Sequence, residues 1–328
     1  MIKKRILGNS GIEVNPVGLG CMGFSHAYGT PTDKSDAIKL IRNSYDMGYD
    51  FFDTAEAYIG VNSDGTVSYN EELVGEALKP IRSHVVIATK FGIGESAKER
   101  DSRPETIRKS VEKSLKRLGT DYIDLYYQHR EDPDTPIEEV AGVMSELIKE
   151  GKIRAWGLSE ADAEYMRRAN AVCKVSAIEN RYSMMGRFYE KDFPAFEELN
   201  IAYVAYSPLA NGILTGKYKA GMQFDSQTDF RAIMPQFQDE SYKQNEELFY
   251  LISSMAEEKN ATMSQISLAW MLNKKPWIIP IPGSRKPERM KENQEAANVQ
   301  LSSEDVKKID SALDKMKMSD YFGGTGRK

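Results

Sequence analysis

Residues 85–90 read Val-Val-Ile-Ala-Thr-Lys, in which five uncharged and mostly β-branched residues precede a lysine. Such a run is typical of a strand that is covered on both faces, as in a parallel sheet. Amphipathic stretches separate it from other runs of the same kind, and strands that alternate with helices predict parallel β-α-β units. The seven other runs are residues 15–20, 49–54, 122–129, 153–159, 175–180, 201–207 and 277–282.

The stretches between these runs carry helix signals. Two of them begin with the spacing of a capping box and a proline in the first turn, and end at a glycine. The residues concerned are Ser102, Pro104, Glu105 and Gly119 in one helix and Thr135, Pro136, Glu138 and Gly151 in the other. A third helix is marked by the spacing of Ile38, Ile41 and Tyr45.

Eight such units favour an α/β fold closed into a (β/α)8 TIM barrel, with an open doubly wound sheet as the alternative. Residues 3–6 and 13–14 flank Gly8-Asn9-Ser10-Gly11, which predicts an N-terminal β-hairpin. Residues 303–316 predict an extra C-terminal helix. No linker or repeat divides the chain, so residues 1–328 are expected to form a single catalytic domain.

Charge and composition exclude several classes of protein. The chain has 328 residues, a formal charge of −5 and no long basic run, which argues against nucleic acid and anionic membrane as partners. No apolar stretch follows the charged start, so we expect a cytoplasmic protein. The two cysteines lack metal-ligand spacing, and no metal is expected. The oligomeric state stays open, and a homo-oligomer is compatible with these data.

Residues 18–23, Gly-Leu-Gly-Cys-Met-Gly, match the dinucleotide-binding pattern G-x-G-x-x-G. That fingerprint also requires a helix that opens at the last glycine. The residues that follow, Phe24 to Pro31, indicate a loop instead. We therefore interpret the stretch as a glycine-rich barrel loop whose backbone a ligand can approach closely.

Polar side chains end three successive predicted strands. Asp53, Lys90 and His129 close the second, third and fourth strands, and Tyr58 follows Asp53 by five residues. In a parallel barrel these strand ends lie on the C-terminal face, where barrel active sites form. Each residue alone also has an ordinary structural explanation, such as packing or a side chain that reaches solvent. Their shared position favours a catalytic cluster.

Three motifs resemble the signatures of the aldo-keto reductase superfamily. They are Gly48-Tyr49-Asp50-Phe51-Phe52-Asp53-Thr54-Ala55 followed by Tyr58, Leu118-Gly119-Thr120-Asp121-Tyr122-Ile123-Asp124-Leu125 leading to His129, and Ile279-Pro280-Ile281-Pro282-Gly283-Ser284-Arg285. The resemblance runs from Leu7 to Asn298, and residues 205–212 place it near bacterial and plant reductases and the potassium-channel β-subunit branch.

The resemblance implies NADPH-dependent reduction of aldehydes or ketones to alcohols. Tyr58 would donate the proton, His129 would orient the carbonyl, and Asp53 would hold Lys90 beside Tyr58. At roughly 4 Å and an effective dielectric constant of about 20, the Lys90 charge is worth on the order of 4 kcal/mol to a phenolate. We therefore expect Lys90 to lower the pKa of Tyr58 from its ordinary value of about 10.

The resemblance also implies the NADP(H) contacts. Tyr206 would stack on the nicotinamide, and Ser159 would bind the carboxamide. Glu160 and Glu179 stand where relatives often have Asn and Gln, and a carboxylate accepts hydrogen bonds but does not donate them. One of these two contacts, that of Glu160 above all, is therefore in doubt. The remaining cofactor residues are Gly20, Cys21, Met22, Asp53, Ser207, Pro208, Leu209, Gly212, Gly283, Ser284, Arg285, Arg289, Glu292 and Asn293, of which Arg285, Arg289 and Ser284 suit a 2′-phosphate.

The substrate pocket is expected to be lined by loops. The candidates are Phe24, His26, Tyr58, His129, Arg130 and residues 230–237, with residues 59–69 as a cover. The irregular stretch 218–242 is expected to order over bound cofactor, with permanent packing on the barrel as the alternative.

Two other functions stay open. Lys90 could form a Schiff base in a barrel aldolase, or the chain could be a cofactor-binding subunit with slow or no turnover.

Overall fold

The computed structural model describes residues 3–94 and 99–322. Its main sheet has eight parallel strands, and every strand predicted from the sequence is present. In chain order they are β3 (Leu19–Gly20), β4 (Phe51–Asp53), β7 (Val86–Phe91), β8 (Ile123–Gln128), β9 (Ile153–Ser159), β10 (Ala177–Arg181), β11 (Ala202–Tyr206) and β12 (Ile278–Pro280). Each pairs with the next, as a (β/α)8 barrel requires.

The first and last strands meet at a seam that closes the barrel. The backbone N–H of Gly18 donates to the carbonyl of Pro280 over 3.0 Å. A Cβ atom on Gly20 would lie 2.7 Å from the carbonyl oxygen of Ile281, and one on Gly283 would lie 2.7 Å from that of Gly20. Only glycine allows this approach, which brings the loop after β3 against the loop after β12.

Helices surround the sheet and cover its outer face. They are α1 (Lys34–Asp46), α2 (Asn70–Leu78), α3 (Pro104–Leu118), α4 (Ile137–Lys149), α5 (Ala163–Val172), α6 (Phe193–Glu198), α7 (Asp239–Gln244), α8 (Glu246–Glu258), α9 (Met263–Lys274), α10 (Pro287–Glu295) and α11 (Ser303–Leu313). In the ranges that the structure describes, no helix is long and apolar enough to cross a bilayer.

The predicted capping boxes are wrong, although both helices are present. Neither α3 nor α4 has a side-chain cap. The groups expected in the caps bind Asp132 instead. Its Oδ2 atom accepts from the Ser102 backbone N–H at 2.7 Å and from the Thr135 hydroxyl at 2.8 Å. Pro136 precedes α4 and does not occupy its first turn, whereas Gly119 ends α3 in the left-handed conformation as predicted.

Two antiparallel hairpins flank the barrel. The predicted N-terminal one pairs β1 (Arg5–Ile6) with β2 (Glu13–Val14) and buries Leu7, Ile12 and Val14 against the inward-facing side chains of the strands. A second hairpin, β5 (Ile59–Val61) with β6 (Val67–Tyr69), lies in the loop after β4. The sequence had indicated only a long loop there.

The long connection after β11 has defined structure. Single turns of 3-10 helix cover Phe230–Ile233 and Pro235–Phe237, and α7 follows. Met234 and Phe237 are buried in the main core, while Phe230 is 46% exposed. The described conformation corresponds to the packed alternative, and ordering of the segment over bound cofactor stays a prediction.

Candidate active site

The candidate catalytic residues form the top layer of the barrel interior. Side chains alternate along a strand, so every second residue faces the inside. Val86 and Ala88 fill the interior, and Lys90 is the next residue on that face. The same register leads from Phe51 to Asp53 on β4. The next four strands follow the same alternation. Their inward-facing residues are Leu125, Tyr127 and His129 for β8, Ala155, Gly157 and Ser159 for β9, Ala177, Glu179 and Arg181 for β10, and Ala202, Val204 and Tyr206 for β11.

Lys90 is the centre of this layer and is completely buried, with 0% of its surface exposed. Its Nζ atom donates to Asp53 Oδ1 at 2.5 Å, to the Thr54 carbonyl at 2.9 Å and to the Tyr58 hydroxyl oxygen at 3.3 Å. The Tyr58 ring lies 5.7 Å from the ring of His129, nearly perpendicular to it. Asp53, Lys90 and His129, which were predicted from strand ends, therefore lie together with Tyr58.

Electrostatics favour a charged lysine beside a protonated tyrosine. Burial opposes the charge on Lys90, but Asp53 and Glu179 outweigh it and raise the pKa of the ammonium above its ordinary value. Burial also raises the pKa of Tyr58 to about 12, against the lowering effect of Lys90. Lys90 thus acts in the expected direction, but the expected net lowering is not found because desolvation of the phenolate is the larger effect.

His129 is a neutral imidazole in this site. Burial, followed by the charges of Arg130 and Lys90, lowers its pKa well below the ordinary value. Its Nδ1 atom is buried and has no hydrogen-bond partner among the described residues. A neutral imidazole carries one N–H donor, so His129 is suited to hold a carbonyl oxygen by a hydrogen bond.

The charge of Lys90 also bears on the Schiff-base alternative. An amine attacks a carbonyl only when it is unprotonated, and a catalytic lysine of this kind has a lowered pKa. Lys90 has a raised pKa and contacts two carboxyl groups, at 2.5 Å and 3.2 Å. The site therefore does not favour an aldolase.

The side chains expected at the nicotinamide are held by a second network. The Tyr206 hydroxyl donates to Glu160 Oε1 at 2.8 Å, and the backbone N–H of Arg181 donates to the same atom at 3.1 Å. Ser159 Oγ accepts from Arg130 Nη1 at 3.0 Å, which leaves its proton free to donate. Glu160 thus orients Tyr206, and Ser159 retains the donor that a carboxamide oxygen requires.

The residues expected at the pyrophosphate and adenosine lie on two neighbouring loops. After β11, Ser207, Pro208, Leu209 and Gly212 belong to a turn in which Ser207, Ala210, Asn211 and Gly212 all have positive φ angles, from 46° to 104°. Within this turn the backbone N–H groups of Ala210 and Gly212 donate to the carbonyls of Ser207 and Leu209, both at 2.9 Å. In α10, Glu292 accepts from Lys217 at 2.5 Å and from the Thr262 hydroxyl at 2.7 Å, and Asn293 is buried.

The two arginines expected at the 2′-phosphate are partly engaged by the protein. Arg285 donates to the backbone carbonyls of Tyr28 and Thr30, the latter at 2.9 Å. Arg289 donates to the Tyr218 hydroxyl at 3.2 Å, and Arg231 donates to the same oxygen at 2.7 Å. Tyr218 thus links two guanidinium groups. Ser284 Oγ accepts from the Lys286 backbone N–H at 3.1 Å at the start of α10.

The expected substrate residues divide into two groups. His26 stacks on Tyr58 with 6.2 Å between ring centroids, and the edge of Phe230 meets His26 at 5.8 Å. Arg130 lies beside His129 and Ser159. Phe24, in contrast, is 1% exposed and belongs to the main hydrophobic core. The prediction that Phe24 lines the substrate pocket is wrong, because a turn of 3-10 helix at Met22–Phe24 directs it inward. That short turn is not the helix of a dinucleotide fingerprint.

Several contacts of the site escaped the sequence analysis, although residues 230–237 were named there as a whole. Tyr28, Asn211, Tyr218 and Arg231 join the loops after β3 and β11, through contacts such as Asn211 Nδ2 to the Tyr28 hydroxyl at 2.8 Å. Loop contacts of this kind leave no periodic signal. The contact of Glu179 with Lys90 could have been predicted, because Glu179 stands at an inward-facing position at the end of its strand.

Comparison with known proteins shows the family of the chain. The model of the aldo/keto reductase family matches residues 16–314, and the chain belongs to this family. It is 39% identical to the probable aldo-keto reductase 1 of Glycine max over 323 residues, 97% of this chain and 90% of that protein. A glycerol dehydrogenase from Gluconobacter oxydans has a TM-score of 0.84 at 31% identity, with 96% of each chain covered. An aldo-keto reductase from Klebsiella pneumoniae in complex with NADPH has a TM-score of 0.72 at 26% identity, with 95% of this chain and 96% of that chain covered.

Proposed function

We propose that this protein reduces aldehydes or ketones to alcohols with NADPH, and that Tyr58 is the general acid. The observation that carries the proposal is the position of Lys90, which contacts both the hydroxyl of Tyr58 and the carboxylate of Asp53. A buried lysine held in this way supplies a fixed positive charge to a phenolate that forms during the reaction.

Each of the four residues of the layer has a different role in the proposed reduction. His129 donates a hydrogen bond to the carbonyl oxygen and places it near Tyr58. The bound nicotinamide would supply the hydride. Tyr58 gives its proton to the developing alkoxide, and Lys90 stabilises the phenolate that remains. Asp53 keeps the Lys90 side chain charged and oriented, since Lys90 Nζ lies 2.5 Å from its carboxylate.

The hydrogen-bond donors and the aromatic ring at this site are suited to nicotinamide adenine dinucleotide phosphate. Ser159 keeps a free hydroxyl proton, the Tyr206 ring is fixed by Glu160, and Arg285 with Arg289 borders the start of α10. Arginine side chains and a helix N-terminus both bind phosphate well. The complexes of the Klebsiella pneumoniae relatives with NADPH and with NADP and acetate support the same choice of cofactor.

The deciding experiment follows NADPH oxidation against a panel of aldehydes, ketones and quinones. Tyr58→Phe is the matched variant, since it removes the proton donor and keeps the ring that packs on His129. We expect turnover to fall by roughly 100-fold or more while NADPH affinity is retained. Activity of the variant within a few-fold of the wild type would remove Tyr58 from the mechanism. Tight NADPH binding with no turnover on any substrate would instead favour the slow or non-catalytic cofactor-binding subunit.

The cytoplasmic location remains a prediction from the sequence, and the oligomeric state remains open.

A further inference from the structure

Two buried carboxyl groups face one buried ammonium group in the catalytic layer. Lys90 Nζ lies 2.5 Å from Asp53 Oδ1 and 3.2 Å from Glu179 Oε1. Asp53 is 3% exposed and Glu179 is 2% exposed. Water therefore cannot screen the repulsion between two ionised carboxylates here, and one lysine neutralises only one of them.

The second oxygen of each carboxyl group independently indicates that the two negative charges are not both compensated. Asp53 Oδ2 and Glu179 Oε2 are both buried without a hydrogen-bond partner among the described side chains. The two carboxyl groups are nevertheless within hydrogen-bonding reach of each other. Two carboxylates only accept, so a hydrogen bond between them requires a proton. One proton held by the pair would make one carboxyl group neutral and would remove the repulsion between two buried carboxylates.

We infer that Asp53 and Glu179 share one proton, and that Glu179 is a positioning residue that sets the charge around Lys90 and Tyr58. The two carboxyl groups together then carry one negative charge, and Lys90 carries one positive charge. The cluster as a whole is therefore neutral while Tyr58 keeps its proton. The position of Glu179 is one where a glutamine would supply a permanent neutral group. The shared proton makes this glutamate neutral only in part of the pH range.

The surroundings are consistent with a bound proton. Burial, with Asp53 as the next cause, raises the pKa of Glu179 well above its ordinary value, and burial raises that of Asp53. The ionisable groups that face Glu179 are Asp53, Lys90, Tyr58 and Tyr127. Of these only Lys90 is a cation, and it already contacts Asp53. No second positive charge is therefore available to Glu179 from these neighbours.

The shared proton affects the acid that the proposed function assigns, and this part of the inference rests on that function. Asp53 and Glu179 both raise the pKa of Tyr58. A protonated pair removes one of these two negative charges, so the phenolate is easier to form. When the pair loses its proton at higher pH, the phenolate becomes less favourable and reduction slows. Glu179→Gln removes that ionisation.

The first test measures unfolding without cofactor or substrate. The folded pair keeps a proton above the ordinary glutamate pKa of 4.5, whereas the unfolded chain has released it. Wild-type stability should therefore fall, relative to Glu179→Gln, as the pH rises from about 5. The ratio of the two unfolding constants should change by up to about tenfold per pH unit while one proton is involved.

Asp53→Asn serves as the second variant, since it leaves a single carboxyl group beside Lys90. It should show the same difference in pH dependence from the wild type as Glu179→Gln. A ratio of unfolding constants that stays constant between about pH 5 and pH 8 for both variants would overturn the shared proton. This outcome is independent of whether the protein reduces carbonyls.

The second test records the pH profile of NADPH-dependent reduction for the wild type and Glu179→Gln. The alkaline decline in turnover should begin at a higher pH in the variant, because its cluster has no carboxyl proton to lose. A merely structural role would lower turnover equally at all pH values. Identical alkaline limbs would contradict the role of Glu179 in the reaction, and absence of turnover in the wild type would instead contradict the proposed function.

Discussion

The hydroxyl of Tyr206 donates a 2.8 Å hydrogen bond to Glu160, the residue that directly follows Ser159 at the end of β9. Glu160 has a positive φ angle of 54°, which costs a residue with a side chain about 1–3 kcal/mol. That backbone conformation allows one carboxylate to receive both the Tyr206 hydroxyl and the Arg181 backbone N–H. The aromatic ring expected at the nicotinamide is therefore oriented by a residue at the end of β9, two strands away from β11 in the sheet.

This contact separates two variants of Tyr206. Tyr206→Phe loses one hydrogen bond but keeps the ring, so NADPH binding should weaken by no more than about 1.5 kcal/mol. Tyr206→Ala also loses the stacking surface and should bind NADPH more weakly than Tyr206→Phe. Fluorescence titration of the cofactor measures both. Equal affinities for the two variants would show that the ring does not contact the nicotinamide.

Removal of Lys90 is expected to destabilise the fold as well as stop catalysis. Lys90→Met leaves the buried carboxyl groups of Asp53 and Glu179 without a counter-charge, and such a loss typically costs about 3–5 kcal/mol. The double variant Asp53→Asn with Lys90→Met removes one acid as well and should regain part of that stability. Denaturant unfolding provides the comparison. If the single variant is as stable as the wild type, Lys90 is not the charge that holds this layer together.

Arg285 and Arg289 are expected to distinguish NADPH from NADH. Replacing both with alanine should weaken NADPH binding by roughly 2–5 kcal/mol and NADH binding much less, since each hydrogen bond to a phosphate contributes about 1.5–3 kcal/mol. Lys286→Ala is the matched control, because its exposed side chain belongs to the same turn. Titration of both cofactors decides the matter. Equal weakening for NADPH and NADH would mean that these arginines do not bind the 2′-phosphate.

His129 should make the wild type sensitive to mild acid. Its pKa in the folded protein is well below 6.5, so the unfolded chain binds a proton that the folded protein does not. Acidification through pH 6.5 and below therefore favours unfolding, by up to about 1.4 kcal/mol per pH unit for one group. His129→Asn should lose less stability than the wild type over this range. The exposed His84 supplies the control, and an equal effect of His84→Asn would exclude a special role for His129.

Much of the fold could be predicted because its signals are local and periodic. Strand runs, helical spacing and the helix stop at Gly119 are each properties of a few consecutive residues. The positions of Asp53, Lys90 and His129 at the ends of successive parallel strands predicted that they lie at one end of the barrel. The capping boxes failed because Asp132, a residue 30 positions after Ser102, takes the hydrogen bonds that would have formed the cap. A local pattern contains no information about such a competitor.

The parts of the site that were missed depend on contacts between loops. Phe24 occurs beside His26 in the chain, yet one is in the core and the other stacks on Tyr58. The net shift in the pKa of Tyr58 could not be predicted from the sequence either. The position of Lys90 beside Tyr58 could be predicted, but the burial of the Tyr58 hydroxyl could not. Glu179 lay within reach of prediction, because its inward register follows from the alternation of β10.

The seam between Gly18 and Pro280 joins the first and last strands of the sheet, and these hydrogen-bonded residues are some 260 positions apart in the chain. During synthesis on the ribosome, seven strands emerge before the eighth is available to complete the ring. Any sheet that the growing chain forms before then has unpaired edge groups, which are a template for pairing with other chains. Closure of the barrel then requires the β12 segment to dock between its two neighbours, β11 and β3. Protection of the nascent edge by a chaperone should matter most before Gly283 leaves the exit tunnel.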